Sequence, residues 1–162
     1  MKKRAVKIIV FTLLACMLFP SVSVYAAEPN QRSLPEITIN YDGPIETIRL
    51  SPNGSKSQKD TVRQYGNVNY DGIYWGRVYV DFEIIYPGNS NVPKYNKVLR
   101  QGTIYANGNV GCEIESKSYS FSSDYKKCTA TIKFGLYVYH PQKGWTRVGY
   151  ANIKYTFTCP TS

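Results

Sequence analysis

The sequence predicts an all-β protein. It reads as a single antiparallel β-sandwich of about 7-9 strands built largely from hairpins, with a barrel as second choice. Three observations predict it. Apolar and polar residues alternate through most of the chain after residue 30, and no stretch keeps the i, i+3, i+4, i+7 spacing of a helix for three turns. Tyr, Val, Ile, Thr and Phe dominate, as on pleated half-buried surfaces. Turn signals recur at short intervals, among them Asp42-Gly43-Pro44, Asp71-Gly72, Pro87-Gly88-Asn89, Asn107-Gly108, Ser122-Ser123-Asp124 and Lys143-Gly144.

The first 26 residues have the pattern of a secretory signal peptide. Lys2, Lys3, Arg4 and Lys7 form a basic start, and Ile8 to Phe19 is an apolar run. It is shorter than the ~20 residues a bilayer span needs. Val24-Tyr25-Ala26 then supplies small residues for cleavage after Ala26. Leu13-Leu14-Ala15-Cys16 is an alternative: a lipobox that would anchor the chain through a lipidated Cys16. The apolar Met17-Leu18-Phe19 that follows argues against it. Residues 27–35 read as a flexible leader and residues 36–162 as one domain, long enough to bury a core without a metal. Four of the 20 basic residues and none of the 11 acids lie in the signal, which lowers the formal charge from +9 to +5. A modest basic excess on an exported protein suits anionic polymers and equally serves solubility. The longest basic run after the signal is Lys126-Lys127, too little for a nucleic-acid footprint.

Three strands show their faces directly. In Arg77 to Tyr86 the even residues Val78, Val80, Phe82, Ile84 and Tyr86 form the core frame, and the odd ones include Arg77, Tyr79, Asp81 and Glu83. From Thr129 to Tyr139 the even set Ala130, Ile132, Phe134, Leu136 and Val138 is apolar. From Arg147 to Cys159 the core frame is odd, through Ala151, Ile153, Tyr155, Phe157 and Cys159. Ser51 to Gln64 has no apolar face and reads as a polar loop suited to binding.

Cleavage leaves Cys112, Cys128 and Cys159, in a compartment where at most one intrachain disulfide forms. A three-residue turn at Ser122–Asp124 pairs Val110 with Leu136 and sets Cys128 opposite Ser118, far from Cys112. A two-residue turn at Lys143-Gly144 sets Cys128 opposite Cys159, within bonding reach. The expected disulfide is therefore Cys128–Cys159, with Cys112 a buried thiol. A single bulge would undo that register and leave three reduced core cysteines.

Catalytic signatures are sparse. With one His, no C-x-x-C and no H-E-x-x-H, neither a metal nor a cofactor is expected. His140 sits in a turn before Pro141, as a surface residue would. Asp81/Glu83 and Glu113/Glu115 are same-face carboxylate pairs of a spacing loosely compatible with an inverting glycosidase, but solvent-facing strands look the same. No catalytic residue is assigned, and an enzyme is not expected.

The aromatic content is the most unusual feature: 20 Tyr, Trp and Phe remain in the 136 residues after the signal. Tyr79, Tyr137 and Tyr139 fall on the polar frame, and Tyr74, Trp75 and Trp145 lie beside turns. Exposed Tyr and Trp give contact area at low entropic cost. The ligand-binding set expected from the sequence is Tyr74, Trp75, Arg77, Tyr79, Tyr137, Tyr139, Trp145 and Arg147.

The Lys-rich signal ending Val24-Tyr25-Ala26, the strand Tyr74 to Val80 and the closing strand Ile153 to Thr158 resemble those of small secreted all-β proteins of unknown function from Gram-positive bacteria. The likeness implies a secreted or cell-surface module, and no functional residue carries over. The expected function is a secreted, monomeric, non-catalytic module that binds a cell-wall polymer, glycan or other anionic surface of the cell envelope, or a protein partner. A membrane surface would be a partner only if Cys16 is lipidated. The alternatives are a secreted effector, bacteriocin-like or inhibitory, acting on a protein or membrane, and a glycosidase.

Overall fold

The computed structural model describes residues 38–50, 59–88 and 92–161. These hold eight strands: β1 (Thr38–Asn40), β2 (Glu46–Arg49), β3 (Lys59–Tyr70), β4 (Ile73–Ile85), β5 (Lys94–Tyr105), β6 (Val110–Phe121), β7 (Lys127–His140) and β8 (Gly144–Thr158). They form two four-stranded sheets, ordered β1-β8-β7-β6 and β2-β3-β4-β5. This is the expected sandwich, and it is not closed into a barrel. One pairing departs from the antiparallel plan: β1 runs parallel to β8. No hairpin ties β1 to its neighbour, because the chain crosses to the other sheet directly after it. The signal segment, Cys16 and the leader lie outside the described residues, as do residues 51–58 of the expected polar loop. The rest of that loop, Lys59 to Gln64, is strand. Lys59, Thr61 and Arg63 belong to the outward face, and Val62 and Gln64 point inward.

Turn chemistry explains the hairpins. Asp71 and Gly72 both take positive φ, 51° and 72°, the two-residue turn whose twist matches its strands. Between β7 and β8 the loop is Pro141–Lys143. Lys143 N donates to His140 O at 3.1 Å, and Gly144 follows with φ 71°. The β6–β7 loop is Ser123–Lys126, closed by Ser122 N donating to Lys127 O. Both loops are longer than the expected turns.

Those lengths shift the registers. Cys128 stands opposite Phe157, and Cys159 is two residues further along the same face. Diagonal same-face neighbours sit ~7–8 Å apart, beyond ordinary disulfide reach. The Cys128–Cys159 bond expected from the sequence is absent; Cys112, Cys128 and Cys159 are all free, buried thiols. On β6 a bulge between Ile114 and Ser116 switches the inward frame, so Phe121, not Ser118, faces Cys128.

The core lies between the sheets. Val78, Val80, Phe82 and Ile84 of β4 meet Ala130, Ile132 and Phe134 of β7 and Ile153, Tyr155 and Phe157 of β8, all at most 2% exposed. Phe82 and Phe157 pack edge to face across the gap at 5.4 Å. Tyr155 reaches furthest. Its ring lies where a Cβ on Gly66 would come within 2.5 Å, and its hydroxyl donates to Asn67 O at 3.0 Å. Gln64 is the polar tie between the sheets. Its Nε2 donates to Thr47 Oγ1 and to Thr158 O, both at 2.9 Å, and its Oε1 accepts from the Tyr95 hydroxyl. That set uses both donors of the buried amide and one acceptor site of its oxygen.

Gly76 carries φ 143°, and a Cβ there would meet Ile104 O at 2.2 Å. Gly76→Ala should cost about 2 kcal/mol or more in urea unfolding. Gly149→Ala, with nothing within 4 Å of its Cβ, should stay within about 0.5 kcal/mol of wild type. Equal midpoints for the two variants would contradict this reading of the β4 bulge.

Candidate functional site

The outer face of the β1-β8-β7-β6 sheet ends in an aromatic cluster. Tyr137 pairs with Gly111 on one side and Arg147 on the other, and Tyr139 pairs with Trp145. The odd residues of β8 are inward from Ala151 to Phe157. A bulge between Leu136 and Tyr137 leaves Val148 unpaired and switches that frame, turning Arg147 and Trp145 to the outside. Tyr105 arrives from the end of β5, in the other sheet. A Cβ on Gly111 would lie 2.7 Å from its ring, so the missing side chain makes room for it.

Trp145 sits between two tyrosines, edge to face with Tyr105 at 5.2 Å and with Tyr139 at 5.6 Å. Tyr105, Tyr139 and Trp145 are 39%, 41% and 42% exposed. Polar groups flank the rings. The Tyr105 hydroxyl donates to Glu113 at 2.7 Å, and the Tyr137 hydroxyl to Glu115 at 3.3 Å. Arg147 approaches Glu115 at 3.5 Å and stacks on Tyr150 at 4.7 Å. The hydrogen bond to Glu113, with burial adding to it, pushes the Tyr105 phenol up to about 12. The cluster therefore offers π faces beside two carboxylate acceptors and a guanidinium. Sugar C–H faces and hydroxyls need that combination.

Of the eight residues expected from the sequence, Tyr137, Tyr139, Trp145 and Arg147 come together here. Trp75 does not. It is 5% exposed, in the core, with Nε1 donating to Tyr70 O at 3.2 Å, so its ring offers no stacking face to a ligand. A bulge between Val68 and Asn69 on the β3–β4 ladder leaves Trp75 unpaired and turns it inward. Tyr74 is exposed at the start of β4, opposite Asn69 on β3 and near Arg77.

Arg77 and Tyr79 lie on the outer face of the second sheet, in a network of their own. Arg63 donates to Asp81 through two bonds of 2.6 and 2.9 Å, and Arg100 adds a third at 3.1 Å. Arg63 stacks on Tyr79 at 4.2 Å, and Arg77 stacks on Tyr65 at 4.4 Å while pairing with Glu46. The Arg63 hydrogen bond, helped by Arg100 and opposed by burial, holds the Asp81 carboxyl below the usual range.

The carboxylate pairs do different work. Asp81 is held ionised by two guanidiniums and has no proton to give. Glu83 accepts from Asn96 and lies 3.9 Å from Lys59. Glu113 and Glu115 straddle the inward Ile114 and accept from tyrosines. His140 lines a shallow recess of about 290 Å³ at the β7–β8 turn, formed with Pro141, Gln142, Lys143 and Thr146. Among the described residues no three His, Cys, Asp or Glu side chains form a metal-ligand group. Burial pushes the Cys112 and Cys128 thiols up to about 12 and that of Cys159 to about 11.

Sequence reasoning missed Tyr105 and Tyr65. Tyr105 carries a signal like that of Trp145, an aromatic near a Gly-containing turn: Tyr105 lies two residues before Asn107-Gly108, and Trp145 directly follows Lys143-Gly144. The geometry defines a β-sandwich with one exposed aromatic end and one Arg/Tyr face. No protein-family model, curated protein or solved structure matches this chain.

Asp81→Asn should cost about 2–4 kcal/mol at pH 7, since two guanidiniums lose one nearly buried carboxylate. The depressed folded value means Asp81 adds stability above its unfolded pKa of ~3.9 and loses it as pH falls through the folded value. Wild type should therefore lose this increment below about pH 4, and Asp81→Asn should show a flatter acid limb in urea titrations at each pH. Alkylation of the three thiols by iodoacetamide at pH 8 should run at least ~100-fold slower in the native protein than in guanidinium, because each unit of upward shift removes a factor of ten in thiolate. A thiol that labels at equal rates in both would not be buried as described.

Proposed function

We propose that this protein is a secreted, non-catalytic binding module that holds a glycan of the cell envelope against the aromatic end of its β1-β8-β7-β6 sheet. The observation that carries the reading is the Tyr105–Trp145–Tyr139 cluster. Three large rings lock one another in place at the surface, each about two-fifths exposed. A sandwich with a well-filled core has no structural need to leave them there. Pre-locked rings lose little entropy when a ligand settles on them. Glu113, Glu115 and Arg147 stand where a sugar's hydroxyls would seek acceptors and donors. The N-terminal segment supports export, and the basic excess favours residence near an anionic envelope. Arg77 and Tyr79 belong to the opposite face and have no part in this site.

The test is co-sedimentation of the purified mature protein with isolated Gram-positive cell walls across a salt series. Trp145→Ala and Tyr139→Ala should each weaken binding about tenfold or more, the scale of an interface anchor, with unchanged unfolding midpoints. Trp75→Ala should instead lower the unfolding midpoint through a core cavity. Wall binding indifferent to both surface substitutions would remove the cluster as the site.

A further inference from the structure

We infer that the outer face of the β2-β3-β4-β5 sheet is a second, independent docking surface, and that its partner is an acidic polypeptide segment with interspersed aliphatic side chains. The register brings six cationic side chains to this face against three carboxylates. At its centre one carboxylate, Asp81, is shared by two guanidiniums, which leaves a full positive charge uncompensated. Arg100 donates its Nε to Asp81 and keeps its side chain 64% exposed. Asp81 thus holds Arg100 ready for a second carboxylate, the arrangement that favours bidentate recognition.

Tyrosines fix the rest. Tyr79 lies against Gly102, where a Cβ would come within 2.6 Å of its hydroxyl, and it is stacked by Arg63 and, at 6.0 Å, by Arg100. Arg and Tyr held in place by their neighbours are the composition of interface hot spots. The flanks decide the partner's class. Ile48, Leu50 and Ile104 are 42%, 40% and 46% exposed on or beside this face. Such apolar rims suit the aliphatic side chains of a polypeptide and give nothing to the hydroxyls of an anionic sugar polymer. The charge balance selects an acidic segment over a basic one. This inference does not depend on the glycan reading, which concerns the other sheet.

The test is fluorescence anisotropy of the full mature protein with a labelled acidic peptide of glutamates interspersed with leucines, beside polygalacturonate as an anionic glycan. The peptide should bind, and added salt should weaken it. Arg100→Gln and Ile104→Asp should each weaken it about tenfold. Ile104 is exposed, and Arg63 keeps its two bonds to Asp81 when Arg100 is replaced, so Ile104→Asp should unfold at the wild-type midpoint and Arg100→Gln only slightly below it. Trp145→Ala should bind the peptide as wild type does, which separates this surface from the glycan site. Three results would overturn the inference: no binding of the peptide, binding indifferent to both face variants, or polygalacturonate binding through Arg100 as tightly as the peptide.

Discussion

The fold depends on how closely the two sheets approach at Gly66. The Tyr155 ring crosses the gap from β8 and occupies the space a side chain on β3 would need, and its hydroxyl closes on Asn67 O. One turn of alternation away, Gln64 bonds through its amide to Thr47, Thr158 and Tyr95. An aromatic plug and a buried amide with three partners fix the spacing and offset of the sheets together. Apolar burial alone would tolerate sliding; a buried amide with three partners does not.

With the inner faces committed, function falls to the outer ones, and bulges decide what reaches them. A strand of strict alternation would bury Trp145 and expose Trp75. The bulge at Val148 turns Trp145 out, and the one at Trp75 turns that ring in. Each exchanges the faces of the residues beyond it at the cost of one unpaired position. Gly76, next to the second bulge, supplies the backbone geometry an L side chain could not adopt there.

This explains which parts of the fold were legible in the sequence. The core frames of β4, β7 and β8 were readable because period-2 alternation holds through their middles, and the sandwich follows from those frames. Pairing was not readable. Its register depends on loop length and on single extra residues; Tyr125 carries no mark of being inside a loop, and Pro141 marks a break in the strand without fixing the length of the loop. Both predicted turns were too short, so the disulfide inferred from one of them failed although both cysteines do face the core. Trp75 was misplaced for the same reason, although a glycine inside a strand pattern hints at a bulge. Three of the four aromatics of the site, Tyr137, Tyr139 and Trp145, were readable. Tyr105 has a turn beside it, but its place in the cluster was not readable, because it arrives from the other sheet and a sequence pattern says nothing about which strand ends meet.

The two outer faces treat their polar groups in opposite ways, and this suits them to different kinds of ligand. On the β2-β3-β4-β5 sheet the guanidiniums stack on tyrosines and grip carboxylates, so much of the electrostatic energy is already spent holding side chains in place. What remains is the surplus charge at Arg100, which gives direction and rate to association more than raw affinity. At the aromatic end the tyrosine hydroxyls engage Glu113 and Glu115, but the ring faces keep to one another and to solvent. Contact area is in surplus there, and charge is not. A surface rich in rigid apolar area and poor in net charge discriminates by shape and survives salt; one organised around a surplus charge discriminates by sign and does not. A sandwich carrying one of each on opposite sheets can engage both without competition between them.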